Sequence, residues 1–494
     1  SREPHKRFFS VHGGDSSTHC VCSRCKEAGN VSDGLVAFAN HLSEQVEKLY
    51  PDKILLICAY GQTTVAPTKE RPRKNVFVMY APYRPNSGLH SFLSSPYNAS
   101  HRQAFDRWYE VAPENMATYD YNMDANWPVL DKMITQIKEY GQRNMKGVWY
   151  CGDKSMMEQL FTYVNAKLLW DPKQDAEALI NEFCDGYYGP AGAFMKQFVQ
   201  LKRAQVHAQG VIGYPYPLSV AGLGPFFYTK EFNRSADNLL EKAEEAVKGD
   251  QVLLRRVQAV QAKILAGMLN SETGIARGIT AEQKAEFARR LARYLRIQKG
   301  NGKSKPAEQA DFIWRVAHLR VKEPWVDDLL IKRFLEDPVG TLEKEQVRRE
   351  DLQQEISGGW EISLDAFTGY VGPIYWNWGM IGPRRKSVWI YGNIPLYQSM
   401  EASFFLKEEP RQTYRLELEG TCHFSQPIRI SVNGQVLFTG KNELKAERPG
   451  DWGKQSVLLP PDTLRKGENL IKIENQAPGH FALSGCRIFS GATK

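Results

Sequence analysis

No stretch of this sequence stays apolar for the roughly 20 residues that a bilayer-spanning helix needs, so no membrane span is expected. No G-x-G-x-x-G follows a strand-like run, which argues against a fold built to cradle a dinucleotide phosphate. Charge of one sign is also scarce. Lys and Arg number 64 against 56 Asp and Glu, a net +8 over 494 residues. The basic clusters Arg71-Pro72-Arg73-Lys74 and Arg384-Arg385-Lys386 are short and sit in no nucleic-acid-binding motif, so they read as solvated loops and no nucleic-acid partner is expected. Cysteine is sparse: eight residues are not a disulfide scaffold. Five of them, Cys58, Cys151, Cys184, Cys422 and Cys486, lie among apolar or strand-like neighbours and read as small buried hydrophobes. No signal-peptide pattern precedes the first strand-like run, and the first residue is Ser, so the chain is expected to start inside a longer gene.

A chain of this length exceeds what one core usually supports, and its character changes twice along the way. Up to about residue 190, short apolar runs alternate with amphipathic patterns. The strand-like runs are Arg7–Val11, Ile54–Tyr60, Val76–Ala81, Met116–Tyr121 and Val148–Cys151. Helical patterns near Asp33–Leu49, Arg102–Val111, Trp127–Tyr140 and Ser155–Leu169 intervene. Such alternation implies a parallel sheet. Five strand-led units suit an open doubly wound sheet and equally suit part of a (β/α)8 barrel; periodicity does not separate the two.

After Trp170 the pattern turns helical. Asp171-Pro172 reads as a helix start, Gly189-Pro190 as a stop, and helices are expected at Lys230–Lys248, Gln251–Met268 and Ala281–Gln298. From about Gly358-Gly359, short alternating runs such as Tyr414–Leu418, Ile428–Val432 and Leu470–Glu474 predict an all-β sandwich of jelly-roll type, with Asn433-Gly434 as a hairpin turn. The expected organisation is therefore α/β, then all-α, then all-β. It comprises a partial, TIM-barrel-like (β/α) domain over 1–190, a helical region over 191–355 and a β-sandwich over 356–494.

The strand ends carry the chemistry. His12-Gly13-Gly14-Asp15, Tyr60-Gly61-Gln62, Pro82-Tyr83-Arg84, Asp120-Tyr121-Asn122-Met123-Asp124 and Gly152-Asp153-Lys154 all follow strand-like runs, on the side where barrel active sites are built. Asp15 is the leading candidate, because two glycines before it allow close backbone approach to a ligand; an Asx turn is the alternative. Asp120 points away from Tyr119 and Tyr121 by strand alternation, and a buried carboxylate is costly unless paired. Asp153 is a candidate carboxylate or a helix N-cap. His12 is a candidate acid or base, or a hydrogen-bonded core histidine. Tyr60, Tyr83, Arg84, Asn122 and Trp127 are candidate substrate contacts, through ring stacking and carboxylate pairing. His19-Cys20-x-Cys22-x-x-Cys25 offers four metal-capable groups. Structural zinc, a disulfide and free thiols all remain open readings, and no other cofactor is expected.

The segment Phe8–Ala191 resembles a bacterial domain of unknown function, the one numbered 4838. The likeness rests on Asp15 before Cys20-x-Cys22-x-x-Cys25, Phe38-Ala39-Asn40, Tyr50-Pro51-Asp52-Lys53 and a strand ending Ala59-Tyr60. It continues through Asn75-Val76, Tyr119-Asp120-Tyr121, Lys146-Gly147-Val148, Leu168-Leu169-Trp170-Asp171-Pro172 and Tyr187-Tyr188-Gly189-Pro190-Ala191. The resemblance implies the later part of a (β/α)8 barrel whose front is missing, related to α-glucuronidases and hexosaminidases and found in mostly exported proteins. An extracellular or periplasmic setting, where a disulfide would persist, is the expectation that follows. Some relatives look like inverting sialidases in which a strand-end His is implicated, a role that His12 would take. The tail, through Val432-Asn433-Gly434 and Gly467-Glu468-Asn469-Leu470-Ile471, resembles galactose-binding-like sandwiches that accompany glycoside hydrolases. The function expected is cleavage of glycosidic bonds in complex or acidic glycans by a pair of strand-end carboxylates. The alternatives are a non-catalytic carbohydrate-binding protein and a metal-dependent centre at the cysteine loop.

Overall fold

The computed structural model describes residues 5–11, 19–82, 91–120, 130–150, 157–208, 227–272, 281–300, 332–333, 336–345, 352–368, 371–376, 385–391, 398–422, 427–442, 444, 452–477 and 480–491. The chain forms two compact units, one of residues 1–218 and 230–263, the other of 219–229 and 264–494. Among the described residues no helix is long and apolar enough to cross a membrane.

Among the described residues the first unit has five strands: β1 (Phe8–Ser10), β2 (Ile54–Ala59), β3 (Val76–Tyr80), β4 (Met116–Asp120) and β5 (Val148–Tyr150). They pair in the order β1-β2-β3-β4-β5, every pair parallel. A doubly wound sheet reverses its strand order at a switch point, whereas a barrel wall does not. Spatial order that equals sequence order therefore decides between the two architectures the periodicity allowed: the unit is a parallel half-barrel.

Register divides the side chains cleanly. Leu55 pairs with Val76, Ile57 with Val78 and Val78 with Met116, so Ile57, Ala59, Val76, Val78, Tyr80 and Met116 share one face. That face is buried under helices. It packs on Val36 and Ala39 of α2 (Val31–Leu49), on Phe105 and Trp108 of α3 (Ala99–Val111) and on Tyr140 of α4 (Leu130–Gln142). The Trp108 indole N–H donates to the carbonyls of Thr63 and Thr64, at 3.1 and 3.0 Å, which keeps its one polar atom satisfied in the core. The opposite face carries Phe8, Leu56, Cys58, Phe77, Met79, Tyr119 and Trp149. It is only partly covered, with Phe8 46% and Trp149 65% exposed.

The start of α2 is heavily bonded. Asn30 and Asp33 form a reciprocal capping box, Asp33 N–H to Asn30 Oδ1 at 3.0 Å and Asn30 N–H to Asp33 Oδ2 at 2.8 Å. Asp33 Oδ1 also accepts from the backbone N–H groups of Thr68, Lys69 and Glu70, at 2.9, 2.7 and 3.0 Å. Its Oδ2 takes the Thr68 hydroxyl at 3.0 Å. The preceding Gly29 has φ +130°, and a Cβ there would meet Asp33 Oδ2 at 2.3 Å, so glycine is required.

Helices α5 (Glu158–Trp170), α6 (Ala176–Tyr188) and α7 (Gly192–Ala208) follow, then helices over Lys230–Ala246 and Gln251–Glu272. The expectation that Asp171-Pro172 starts a helix is corrected. The Asp171 N–H instead closes the end of α5 on the Lys167 carbonyl, at 3.0 Å. The cap of α6 is Asp175, whose Oδ1 accepts from Glu177 and Ala178 N–H at 2.9 and 3.4 Å. Pro172 acts here as a helix-terminating residue just past a C-cap.

In the second unit, helices lie over Ala281–Gly300 and Pro338–Glu345, followed by strands β6 (Gln353–Ile356), β7 (Gly359–Ile362), β8 (Phe367–Thr368), β9 (Val371–Trp376), β10 (Arg385–Tyr391), β11 (Ser399–Leu406), β12 (Tyr414–Cys422), β13 (Pro427–Val432), β14 (Gln435–Lys441), β15 (Gly453–Leu459), β16 (Gly467–Asn475) and β17 (His480–Ser490). They form two antiparallel sheets. One runs β15-β12-β17-β10-β9, with β7 also on β17 and β6 on β7; the other runs β14-β13-β16-β11-β8. Inward residues of both, among them Phe404, Leu416, Leu418, Ile430, Ile473 and Ile488, make one core. Asn433 and Gly434, at φ +51° and +85°, form the expected hairpin turn between β13 and β14. On the outer side of β17, Arg487 reaches Glu361 of β7 at 3.1 Å and Glu417 and Glu419 of β12 at 3.6 and 3.5 Å.

Candidate functional site

The C-terminal edge of the half-barrel is where its chemistry would be built. At the end of β4, Asp120 is 1% exposed and shares the helix-packed face with Met116 and Thr118. Its Oδ2 accepts from Gln136 Nε2 at 2.6 Å and from the Tyr140 hydroxyl at 2.8 Å; Gln136 Nε2 lies 2.9 Å from the same hydroxyl. Lys132, Gln136 and Tyr140 stand four residues apart on α4, so one helical stripe supplies all three. Burial raises the Asp120 carboxyl above its ordinary range, opposed by the Lys132 ammonium and by the bonds from Tyr140 and Gln136. Burial and the nearby Asp120 charge push the Tyr150 phenol, next to Asp120 in register, well above its usual range. The result is a buried polar cluster that ties the end of β4 to α4, with Tyr150 of β5 beside it in register. The alternation that set Asp120 apart from Tyr119 holds, and the side it faces is that of the helices.

Tyr60, at the end of β2, has extended backbone (φ −141°, ψ 145°) and continues the alternation of Leu56 and Cys58, on the face away from the helices. Its N–H donates to Thr63 Oγ1 at 3.0 Å, which closes the short turn Gly61–Thr64. That face therefore carries Phe8, Tyr60, Phe77, Tyr119 and Trp149, a row rich in aromatic rings. Phe8 and Phe77 meet edge to face at 6.0 Å.

The three thiols of the cysteine loop converge. The Sγ atoms of Cys20, Cys22 and Cys25 all lie within 4.8 Å of one another, and all three residues are exposed; His19, also exposed, is outside that group. The hydrogen bonds that the Cys25 thiol donates to Cys20 and Cys22 push it up to about 11, while the Cys25 backbone N–H, foremost, holds Cys22 below the usual thiol range. Cys184 and Cys486 are buried, as small core residues, and Cys58 is half-buried on the face away from the helices; burial lifts all three thiols. Of the other residues singled out by the sequence, His12, Asp15, Tyr83, Arg84, Asn122, Asp124, Trp127 and Asp153 lie outside the described residues, as does Cys151.

Sequence reasoning missed Lys132, Gln136, Tyr140, Tyr150 and Asp33. For the α4 stripe the available signal was a Gln and a Lys spaced on a face otherwise made of Leu130, Met133, Ile137 and Tyr140. For Asp33 it was Asn30-x-x-Asp33 at a helix start.

Residues 1–200 match the family model of DUF4838, a domain of unknown function. No curated protein matches the sequence. Among solved structures, a family GH115 4-O-methyl-α-glucuronidase with specificity for decorated arabinogalactans aligns over 99% of this chain at 9% identity and a TM-score of 0.35. The alignment covers 66% of that enzyme, so this chain spans just under two thirds of its length. A family 35 carbohydrate-binding module from Clostridium thermocellum aligns over 25% of this chain and 91% of its own, at 17% identity and a TM-score of 0.19. A second family 35 module, from an environmental isolate, covers 19% of this chain and 72% of its own, at 17% identity and a TM-score of 0.16.

Proposed function

From a DUF4838 match over residues 1–200 we propose that this protein acts on glycans as a glycoside hydrolase, with its reactive carboxylates on the loops at the C-terminal edge of the half-barrel. The observation that carries this is the strand order: five parallel strands in sequence order make a barrel wall, and barrel walls place chemistry at that edge. The resemblance to domains that accompany α-glucuronidases and hexosaminidases supplies the bond type. Hydrolysis needs an acid for the leaving oxygen and a second carboxylate for the sugar or the water. Asp15, after β1 in sequence, is the proposed member of that pair. Asp120, whose carboxyl is engaged by α4, is a positioning residue that fixes the end of β4.

A second reading is favoured by the face away from the helices. Its row of Phe8, Tyr60, Phe77, Tyr119 and Trp149 suits sugar stacking better than proton transfer, as a non-catalytic carbohydrate-binding protein would require. The experiment is hydrolysis of aryl glycosides and acidic oligosaccharides by the purified protein, with Asp15→Asn beside it. Turnover that falls by about 10²–10⁴-fold in Asp15→Asn, at unchanged melting temperature, supports the hydrolase. No turnover on any substrate, with saturable glycan binding lost on Trp149→Ala, transfers the conclusion to the binding protein.

A further inference from the structure

The loop that precedes α1 (Ser23–Ala28) gathers three thiols by purely local geometry. Cys22 itself has extended backbone (φ −65°, ψ 165°) at the entry to the helix, and the Cys20 sulfur lies within 4.8 Å of the Cys22 sulfur. The Lys26 N–H then closes the first helical turn on the Cys22 carbonyl at 3.0 Å, and Cys22 and Cys25, three residues apart, share a side of that turn. None of the residues of α1 is buried, so packing gives no reason for cysteines here, in contrast to the buried Cys184 and Cys486. A disulfide accounts for two sulfurs and strands the third. A thiophilic cation uses all three.

We propose that Cys20, Cys22 and Cys25 form a three-thiolate site for zinc. Zn–S bonds of about 2.3 Å in tetrahedral arrangement set the sulfurs about 3.8 Å apart. That spacing lies inside the 4.8 Å envelope the thiols already occupy. Hard cations such as calcium and magnesium select oxygen ligands instead. Each thiol gives its proton to solvent on binding, and the resulting complex carries one net negative charge, which Arg24 and Lys26 of the same turn offset. Three protein ligands leave the fourth position to a water molecule. The base of the loop is anchored beforehand: Lys69 Nζ donates to the Glu27 carbonyl at 2.6 Å, and Lys69 N–H is itself bound to Asp33. Zinc would therefore stiffen the turn that enters α1, and the site stands whether or not the proposed strand-end chemistry does.

The test uses the whole chain, purified under reducing conditions, stripped with a chelator and reloaded with zinc chloride or cobalt chloride. The expected result is one zinc per chain by elemental analysis and a thiolate-to-cobalt charge-transfer band in the ultraviolet. Both are lost in Cys20→Ser, Cys22→Ser and Cys25→Ser, while the far-ultraviolet circular dichroism stays that of the parent. Absence of bound metal after reloading would overturn the proposal. So would zinc retained in full by the triple serine variant, or a disulfide between two of these cysteines found by peptide mapping of the unreduced protein.

Discussion

Replacing Asp33 with Ala removes the acceptor for five hydrogen bonds at once. Four come from backbone N–H groups, those of Asn30, Thr68, Lys69 and Glu70, and one from the Thr68 hydroxyl. A hydrogen bond to a charged group contributes roughly 1.5–3 kcal/mol and such bonds do not add, so the expected loss is about 3–5 kcal/mol. Asp33→Asn keeps one oxygen acceptor and is expected to lose about half of that. The assay is hydrogen exchange of the segment 66–70 read by mass spectrometry, which reports the local stability of this unit apart from the sandwich. A loss of about 3 kcal/mol accelerates exchange on the order of a hundredfold. The carboxyl is also pH-dependent. Burial alone would raise its pKa, but the N–H donors of Glu70, Lys69 and Asn30 and the Thr68 hydroxyl hold it below the ordinary value. A depressed folded-state pKa contributes stability that is present above the unfolded value of about 3.9 and is lost as pH falls through the folded value. Protection of 66–70 should therefore collapse on acidification in the parent and change little in Asp33→Ala. Equal protection in parent and variant at neutral pH would refute the assignment of Asp33 as the anchor of this loop.

Two further outcomes follow from the geometry. The Asp120 carboxyl is raised in the folded state, so the parent should lose stability as pH climbs from about 3.9 through the folded value, and Asp120→Asn should flatten that slope in urea midpoints measured across pH. A Cβ at Gly359 would stand 2.0 Å from the Ile488 carbonyl oxygen, so Gly359→Ala should separate β7 from β17 and destabilise the sandwich by about 2–3 kcal/mol, read as a lowered melting temperature.

Strand positions were legible because buried parallel strands are written as apolar runs: Ile54–Ala59 is observed where Ile54–Tyr60 reads from the sequence. Strand order was not legible, since it depends on which runs pair, and it was the order that separated a barrel wall from a doubly wound sheet. The parity of Asp120 against Tyr119 was open to sequence reasoning. Which of the two faces the helices was not, because that is decided by where α4 lies. The Asn433-Gly434 turn was readable because few residues tolerate positive φ at two successive positions. Asp171 misled because an Asp before Pro resembles an N-cap, while the next acid along, Asp175, holds the donors. The thiol cluster was visible as a spacing, and its convergence needed the switch from extended to helical backbone at Cys22.

Arg487 and its three carboxylates also bear on how the sandwich avoids folding wrongly. Antiparallel strands that slip by one residue exchange their two faces. A slip of β17 against β12 and β7 would turn Arg487 inward, toward Leu416, Leu418 and Ile362, and would leave Glu361, Glu417 and Glu419 facing apolar side chains. In the native register the cluster is half-buried, with Glu417 and Glu419 shielded and Glu361 open to solvent, and every member has a partner of opposite charge. Its effect lies in the cost it attaches to the neighbouring registers, since an unpaired guanidinium in an apolar core is among the most unfavourable burials a protein can make. The cluster thus acts as a proofreading device for strand alignment, and neutralising Arg487 would lower the share of chains that reach the native register.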